Sequence, residues 1–461
     1  MNMQVHFNLW RQHLAWQTAQ GSFTYDQWEQ LIRRRAWALQ EWGVQAGECW
    51  AIGGAPAFET FTWILAGLWQ GAILFPLPDR LPPSIQDSML AQIPLRGILP
   101  IDSMDLDSKC PHREGSMTWD TRRPSVGIFT SGSTGVPKAI VHSWESLSRS
   151  ALTTNQFYQF GPDEKWLLSL DLAHIGGLHI AVRCFWAAGI CVHLAEPKNM
   201  DVALEQISPQ FLSLVPTQLY RLMENPQALA VLKQCKAIVL GGAAASMSLL
   251  EKAKFHGLAI SVSYGSSETS AQCTALRPGE LPQHSGDVGD VLPGWDIQSE
   301  GEVLRLRGPA AMLGFYQQGQ WHPGQDSAGW MTLPDRILCR GRRLTVLGRA
   351  DGIFQVAGEN VAPQDILNPL EPLRAQADFL VLPWPDAEYG QLPVLLVRSP
   401  QNPDVTRILE LWQGSLSGLQ RPRRIYWHAS DEIAKPSRSF YENALKKGEL
   451  SLIWRQDLGR I

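Results

Sequence analysis

Paired cysteines are the first thing this chain lacks. Its seven cysteines stand singly at 49, 110, 184, 191, 235, 273 and 339; the number is odd and no C-x-x-C occurs. Neither a disulfide framework nor a zinc site is indicated, and a reducing cytoplasm fits. Charge is sparse as well. Only 18% of residues are charged, the formal net charge is −4, and no block of like charge occurs, which argues against a nucleic-acid surface. A long apolar run is also missing. One apolar stretch, 61–75, is shorter than the ~20 residues that a membrane span requires, and Gln70 and Gly71 divide it. It reads as a buried helix running into a short strand, Ala72-Ile-Leu-Phe. No basic segment leads into an apolar core after Met1, so no secretory signal is visible. The expectation is a soluble, cytoplasmic protein without membrane or nucleic-acid partners.

What is present suits a globular protein of more than one core. The chain has 461 residues, 44% of them apolar, and single hydrophobic cores stop growing near roughly 250–300 residues. An early helix announces itself through a capping box, Thr24 with Gln27, and through Trp28, Leu31, Ile32 and Leu39 at helical spacing before Gly43. Short apolar runs at 126–130, 166–170, 211–215, 237–240 and 259–262 then alternate with helical patterns. Runs of this kind suit buried parallel strands with crossover helices, so an α/β fold of layered subdomains is expected. A change comes at Leu347-Gly-Arg-Ala-Asp-Gly352. Beyond it, a region of about 110 residues carries its own strand–helix pattern and suits a small α+β domain on a hinge. The expected division is 1–350 and 351–461.

The chemistry concentrates just after the apolar runs. Thr130-Ser-Gly-Ser-Thr-Gly-Val-Pro-Lys138 combines hydroxyls, glycines and a lysine. Glycines let backbone amides approach an anion, hydroxyls add donors that rotate, and the lysine adds a point charge. That is a polyphosphate cradle, and neither the Walker A pattern nor G-x-G-x-x-G fits it. Two further segments, 241–245 and 264–268, follow other apolar runs. Ligands in open α/β sheets bind at the carboxyl ends of strands, so the three can share one cleft.

The 130–138 segment resembles the T-S-G-S-T-G-x-P-K phosphate loop of the adenylate-forming ligases, the family of acyl-CoA synthetases, luciferases and peptide-synthetase adenylation domains. Further motifs follow in family order over nearly the whole chain. The resemblance implies an N-terminal AMP-binding domain, a mobile C-terminal domain, and an acid–thiol ligase using ATP and Mg²⁺ with CoA as co-substrate. It assigns ATP contacts to Thr130, Ser131, Gly132, Ser133, Thr134, Gly135 and Lys138. Tyr264-Gly-Ser-Ser-Glu268 resembles Y-G-x-T-E, with Ser267 keeping the hydroxyl where threonine is usual; Glu268 would hold Mg²⁺ on the triphosphate, and Tyr264 and Gly265 would line the adenine. Gly241, Gly242 and Ala243 resemble the G-G-A segment that lies against the adenine ring.

The later motifs depart further from the family. Gly329-Trp-Met-Thr-Leu-Pro-Asp335 resembles G-W-x-x-T-G-D with Leu-Pro in place of Thr-Gly, and Asp335 would accept the ribose hydroxyls. Gly348-Arg-Ala-Asp351 resembles the hinge motif G-R-x-D, which gives Arg349 a ribose contact and makes Asp351 the pivot. Gly358-Glu-Asn-Val-Ala-Pro363 resembles a loop that enters the site beside CoA. Asp386-Ala-Glu-Tyr-Gly-Gln-Leu-Pro-Val394 matches a recurring turn of the small domain. Lys435, in Ala-Lys-Pro-Ser-Arg438, stands where the family carries G-K-x-x-R and is the candidate catalytic lysine, although the preceding glycine is missing.

Within the family, Trp166-Leu-Leu-Ser-Leu-x-Leu-x-His174, Ser213-Leu-Val-Pro-Thr-Gln-Leu-Tyr-Arg221 and Val239-Leu-Gly-Gly-Ala-Ala244 resemble the o-succinylbenzoate–CoA ligases of menaquinone synthesis. That acid has two carboxylates, one that reacts and one on the ring that must be held. The expected holders are Arg183 as cation and Ser213 as hydroxyl donor, with His174 as a gate. Two alternatives stay open: a CoA ligase for another aryl or acyl acid, and a non-catalytic nucleotide or acyl binder, favoured only by the departures at 335 and 435. Homo-oligomerisation is left open.

Overall fold

The computed structural model describes residues 3–78, 83–100, 119–130, 137–193, 200–300, 303–349, 352–373, 377–413, 415–429 and 438–456. The early helix forms as the capping box dictates. The Thr24 hydroxyl accepts from the Gln27 amide, and the Gln27 side chain accepts from the Thr24 amide. The helix runs Tyr25–Glu41 and buries Trp28, Ile32 and Leu39. The 61–75 stretch also behaves as its pattern requires. Helix Ala57–Gln70 stops at Gly71, whose left-handed φ of +80° suits only glycine without strain, and the buried strand Ile73–Pro76 follows.

Three sheets of four or more strands appear among the described residues. The largest has a parallel half built from Leu14–Thr18, Ile190–His193, Lys165–Leu167, Phe211–Leu214, Ala237–Leu240 and the first part of Ile260–Ser266. Its other half is antiparallel and runs through Ala271–Ala275, Asp287–Val291, Arg343–Arg349 and Met331–Arg340 to Val303–Arg307. A second sheet places Pro124–Thr130 between Ile73–Pro76, which it pairs in parallel, and Lys138–Ser143, which it pairs antiparallel. The third sheet, Asp378–Asp386, Gly390–Ser399, Arg424–Ala429 and Ser451–Arg455, has its own core around Val381, Leu395, Ile408, Trp412 and Ile425. The architecture is thus mixed α/β, with a large N-terminal domain and a C-terminal sheet domain.

Two expectations need correction. The 166–170 run pairs as a strand only over Lys165–Leu167. Conversely, the strand that begins at Ile260 continues through Ser266, so Tyr264 and Gly265 are strand residues and not a loop. The reason is a change of neighbour. Residues 260–262 pair parallel with Ala237–Leu240, and residues 263–266 pair antiparallel with Ala271–Ala275. Gly265 is needed there: a Cβ would stand 1.7 Å from the Ala271 carbonyl oxygen. No helix among the described residues is long and apolar enough to cross a membrane.

Candidate active site

The glycine- and hydroxyl-rich segment connects two antiparallel strands whose last paired residues are Thr130 and Lys138. Ser131, Ser133, Thr134 and the glycines Gly132 and Gly135 lie outside the described residues, so the cradle is read from its two ends. At one end the buried Thr130 hydroxyl has no hydrogen-bond partner among the described residues. At the other, Lys138 Nζ donates to Glu268 Oε1 at 2.6 Å and lies 5.4 Å from the centre of the Phe315 ring. The cradle lysine and the proposed metal ligand therefore meet although 130 positions separate them.

Glu268 is held in place from its backbone. His142 is buried, and burial pulls its pKa down to about 4, so its ring is neutral at pH 7. Its Nε2 lies 2.8 Å from the Ser267 carbonyl. Because a carbonyl only accepts, the proton sits on Nε2, which leaves Nδ1 to accept from the Ser270 hydroxyl at 3.0 Å. The Glu268 carbonyl accepts from the Met312 amide at 2.9 Å. Burial alone would raise the Glu268 pKa, but the Lys138 charge and hydrogen bonding outweigh it and hold the group below its ordinary value. A group of depressed pKa stabilises the fold above its unfolded pKa and loses that contribution as pH falls through the folded value. Glu268→Gln is therefore expected to flatten the acid side of a curve of Tm against pH. An unchanged curve would remove the pair from the fold's acid sensitivity.

Tyr264 and Asp335 form a second pair. The Tyr264 hydroxyl donates to Asp335 Oδ2 at 2.9 Å, and burial, followed by the Asp335 charge, pushes its pKa well up. Asp335 is not on a surface turn; it lies buried within the Met331–Arg340 strand, opposite Arg349 in register. Gly241 and Gly242 follow strand Ala237–Leu240, with Gly242 at φ +77° and Val215 Cγ1 3.1 Å from where its Cβ would stand. Ala243, next in the chain, is half-buried.

Two of the three acid-binding candidates, Arg183 and Ser213, meet at Trp166. Arg183 is 3% exposed, so it is not a helix-surface arginine. Its guanidinium carbon lies 5.2 Å from the centre of the Trp166 ring, and Nη2 donates to Gln272 Oε1 at 3.2 Å. Nε has no hydrogen-bond partner among the described residues, and burial pulls the pKa down to about 10, still charged at pH 7. The Trp166 indole N–H donates to Ser213 Oγ at 3.1 Å, so one side chain braces both candidates. His174 stands at the N-cap of helix Ile175–Ala187 and is exposed, so it is not a core histidine.

From the C-terminal domain, Gly358 reaches this region. It sits at φ +90°, and a Cβ there would stand 3.1 Å from Val215 Cγ1, just beyond Ser213. Gly242 and Gly358 thus both lie close to Val215 Cγ1. The hinge candidate Asp351 and the lysine candidate Lys435 lie outside the described residues.

Four residues of this region were given no role from the sequence: His142, Trp166, Gln272 and His179. His179 is fully buried with neither ring nitrogen partnered among the described residues, one helical turn before Arg183, and burial and then the Arg183 charge hold its pKa far down. Its helix is apolar all round, and such a helix is buried. That pattern could have shown that both His179 and Arg183 face the interior. Nothing local marks Gln272.

Comparison with known proteins gives the family. A model of the family described as "AMP-binding enzyme" matches residues 6–316. A 2-succinylbenzoate–CoA ligase of Salmonella typhimurium is 30% identical over 393 residues, covering 83% of each chain. A structure of Escherichia coli MenE with a bound phenylether-linked analogue of OSB-AMS superposes with a TM-score of 0.66 at 25% identity, covering 96% of this chain and 99% of that one. A double mutant of the Bacillus subtilis o-succinylbenzoate CoA synthetase, bound with the product analogue OSB-NCoA, shares the fold at a TM-score of 0.78 and 19% identity, covering 94% and 95%. Because the family model matches residues 6–316 and a relative is 30% identical over 83% of the chain, the protein belongs to the AMP-binding enzyme family, the adenylate-forming ligases.

Proposed function

We propose that this chain is an AMP-forming acid–CoA ligase that converts 2-succinylbenzoate to 2-succinylbenzoyl-CoA through an acyl-adenylate. One observation carries the choice of acid. Arg183 is a buried cation with no ion-pair partner among the described residues and an orphaned Nε–H, and Ser213 is braced beside it by Trp166. A buried unpaired charge is costly unless something pairs with it. A substrate whose ring carries a second carboxylate supplies that partner. The match to relatives of that name supports the same reading.

The first half-reaction joins a carboxylate to the α-phosphorus of ATP and releases pyrophosphate. The protein aligns the reactants and stabilises charge on phosphate oxygens. Lys138 and Thr130, at the ends of the cradle, would hold the leaving pyrophosphate, and Lys435 would stabilise charge at the α-phosphate. The adenosine end would lie among Tyr264, Gly265, Gly241, Gly242 and Ala243, with Asp335 and Arg349 at the ribose. Mg²⁺ usually binds one or two carboxylates plus substrate phosphates, so a single glutamate suits it; when bound it would neutralise charge on the triphosphate. Glu268 would then exchange Lys138 for the metal, freeing the lysine for phosphate.

The second half-reaction brings the CoA thiol to the acyl carbon and expels AMP. A change of domain orientation at Asp351 would withdraw Lys435 and seat Gly358 near Val215, where a residue lacking a side chain leaves room for the thiol arm. The test is the rate of CoA-thioester formation across a panel of carboxylic acids. 2-Succinylbenzoate is expected to give the highest kcat/KM, and analogues without the ring carboxylate should be poor substrates. Better turnover of a monocarboxylic acid would contradict the assignment and favour a ligase for another acid.

A further inference from the structure

Helix Pro216–Met223 is gripped by the small domain at both of its ends. At its start, Val215 packs against Gly358, as described. Near its last turn, Arg221 Nε donates to Glu388 Oε1 at 2.7 Å, and Arg221 Nη2 donates to the Tyr389 hydroxyl at 3.3 Å. The guanidinium carbon is also 5.9 Å from the centre of the Tyr389 ring. Burial would lower the Arg221 pKa, but the Glu388 hydrogen bond and charge outweigh it and raise the group above its ordinary value. These contacts absorb two sequence segments that the proposed chemistry leaves unused: Pro216 to Arg221, and the turn that begins at Asp386.

The two grips are one mechanical unit. Asp386 Oδ1 accepts from the Glu388 and Tyr389 amides at 2.9 and 2.8 Å, which fixes the turn that presents both side chains to Arg221. The Tyr389 carbonyl accepts from the Ala357 amide at 3.0 Å. Ala357, at a left-handed φ of +52°, directly precedes Gly358. A contact made at Arg221 is therefore transmitted through the 386–389 turn to the residue that meets Val215.

We propose that Arg221, with Glu388 and Tyr389, is a positioning device that docks the small domain with Gly358 at Val215, and so serves the thioester-forming half-reaction and not adenylation. This rests on the two-step ligase reading above. The pair is about half exposed on the Arg221 side, so its loss alone would be modest, whereas reversing one charge replaces attraction by repulsion. Activity of the docked form scales with its population.

The experiment is a charge swap with each half-reaction measured separately. Arg221→Glu and Glu388→Arg singly should slow transfer from preformed acyl-adenylate to CoA by about three- to tenfold. Acid-dependent ATP–pyrophosphate exchange should not fall. The double variant should recover the transfer rate, which general damage to the fold would not allow. The proposal is overturned if transfer is unaffected in the single variants, if the swap fails to restore it, or if both half-reactions fall together. Spin labels introduced as unnatural amino acids at the exposed Phe255 and Leu452 give a readout that needs no substrate. Their distance distribution should broaden or shift in each single variant and return in the double one. An unchanged distribution would overturn the docking role. Wild-type protein that adenylates no acid would instead overturn the ligase reading.

Discussion

Arg183→Leu is expected to raise the KM for 2-succinylbenzoate by about 30-fold or more while leaving that for ATP nearly unchanged. Truncating one member of a buried charge pair costs about 2–5 kcal/mol, against ~0–1 kcal/mol for an exposed pair. Arg183 belongs to the first class: it is buried, lies over the Trp166 ring, and its Nε–H has no partner among the described residues. The same argument predicts a stability effect of opposite character. Replacing a buried charge that lacks a carboxylate partner by an apolar side chain should leave Tm unchanged or raise it. An analogue lacking the ring carboxylate should lose its disadvantage in the variant. Steady-state kinetics with both acids, together with a melting curve, decides the matter. A large fall in Tm with an unchanged acid KM would make Arg183 a structural residue and move the assignment to Ser213.

Lys435→Ala is expected to lower the rate of adenylation by about 10²–10³-fold, the loss typical of one preorganised donor at developing charge. Transfer from a preformed acyl-adenylate to CoA should survive, because the lysine's charge matters only while the α-phosphate is under attack. Single-turnover measurement of each step separates the two. Equal loss in both steps would contradict the role, and unimpaired adenylation would reassign the lysine to the solvated surface.

Much of the fold was legible because each element carries its own stop and start signals. Thr24 with Gln27 opens a helix, Gly71 closes another, and apolar runs at 211–215 and 237–240 become buried parallel strands. The exception is instructive. The strand through Tyr264 runs past its apolar stretch because its second half pairs with the segment that follows it, and local hydrophobicity does not record that exchange of neighbours. The site divides in the same way. Motifs brought Lys138, Glu268, Tyr264 and Asp335 to attention singly. Their pairing across 130 and 71 positions is a tertiary fact that no short pattern encodes. Arg183 lies between these cases, since its apolar helix carries a signal of burial, while Gln272 and Trp166, which it meets, come from distant elements.

The most direct test of the two-step account is a single-turnover reaction of the wild-type protein with labelled ATP, Mg²⁺ and 2-succinylbenzoate, first without CoA and then with it added. The account predicts one equivalent of pyrophosphate and an enzyme-bound 2-succinylbenzoyl-adenylate that accumulates without CoA. Adding CoA should convert this species to the thioester and AMP. Formation of thioester with no prior acyl-adenylate, or no release of pyrophosphate with this acid, would contradict it.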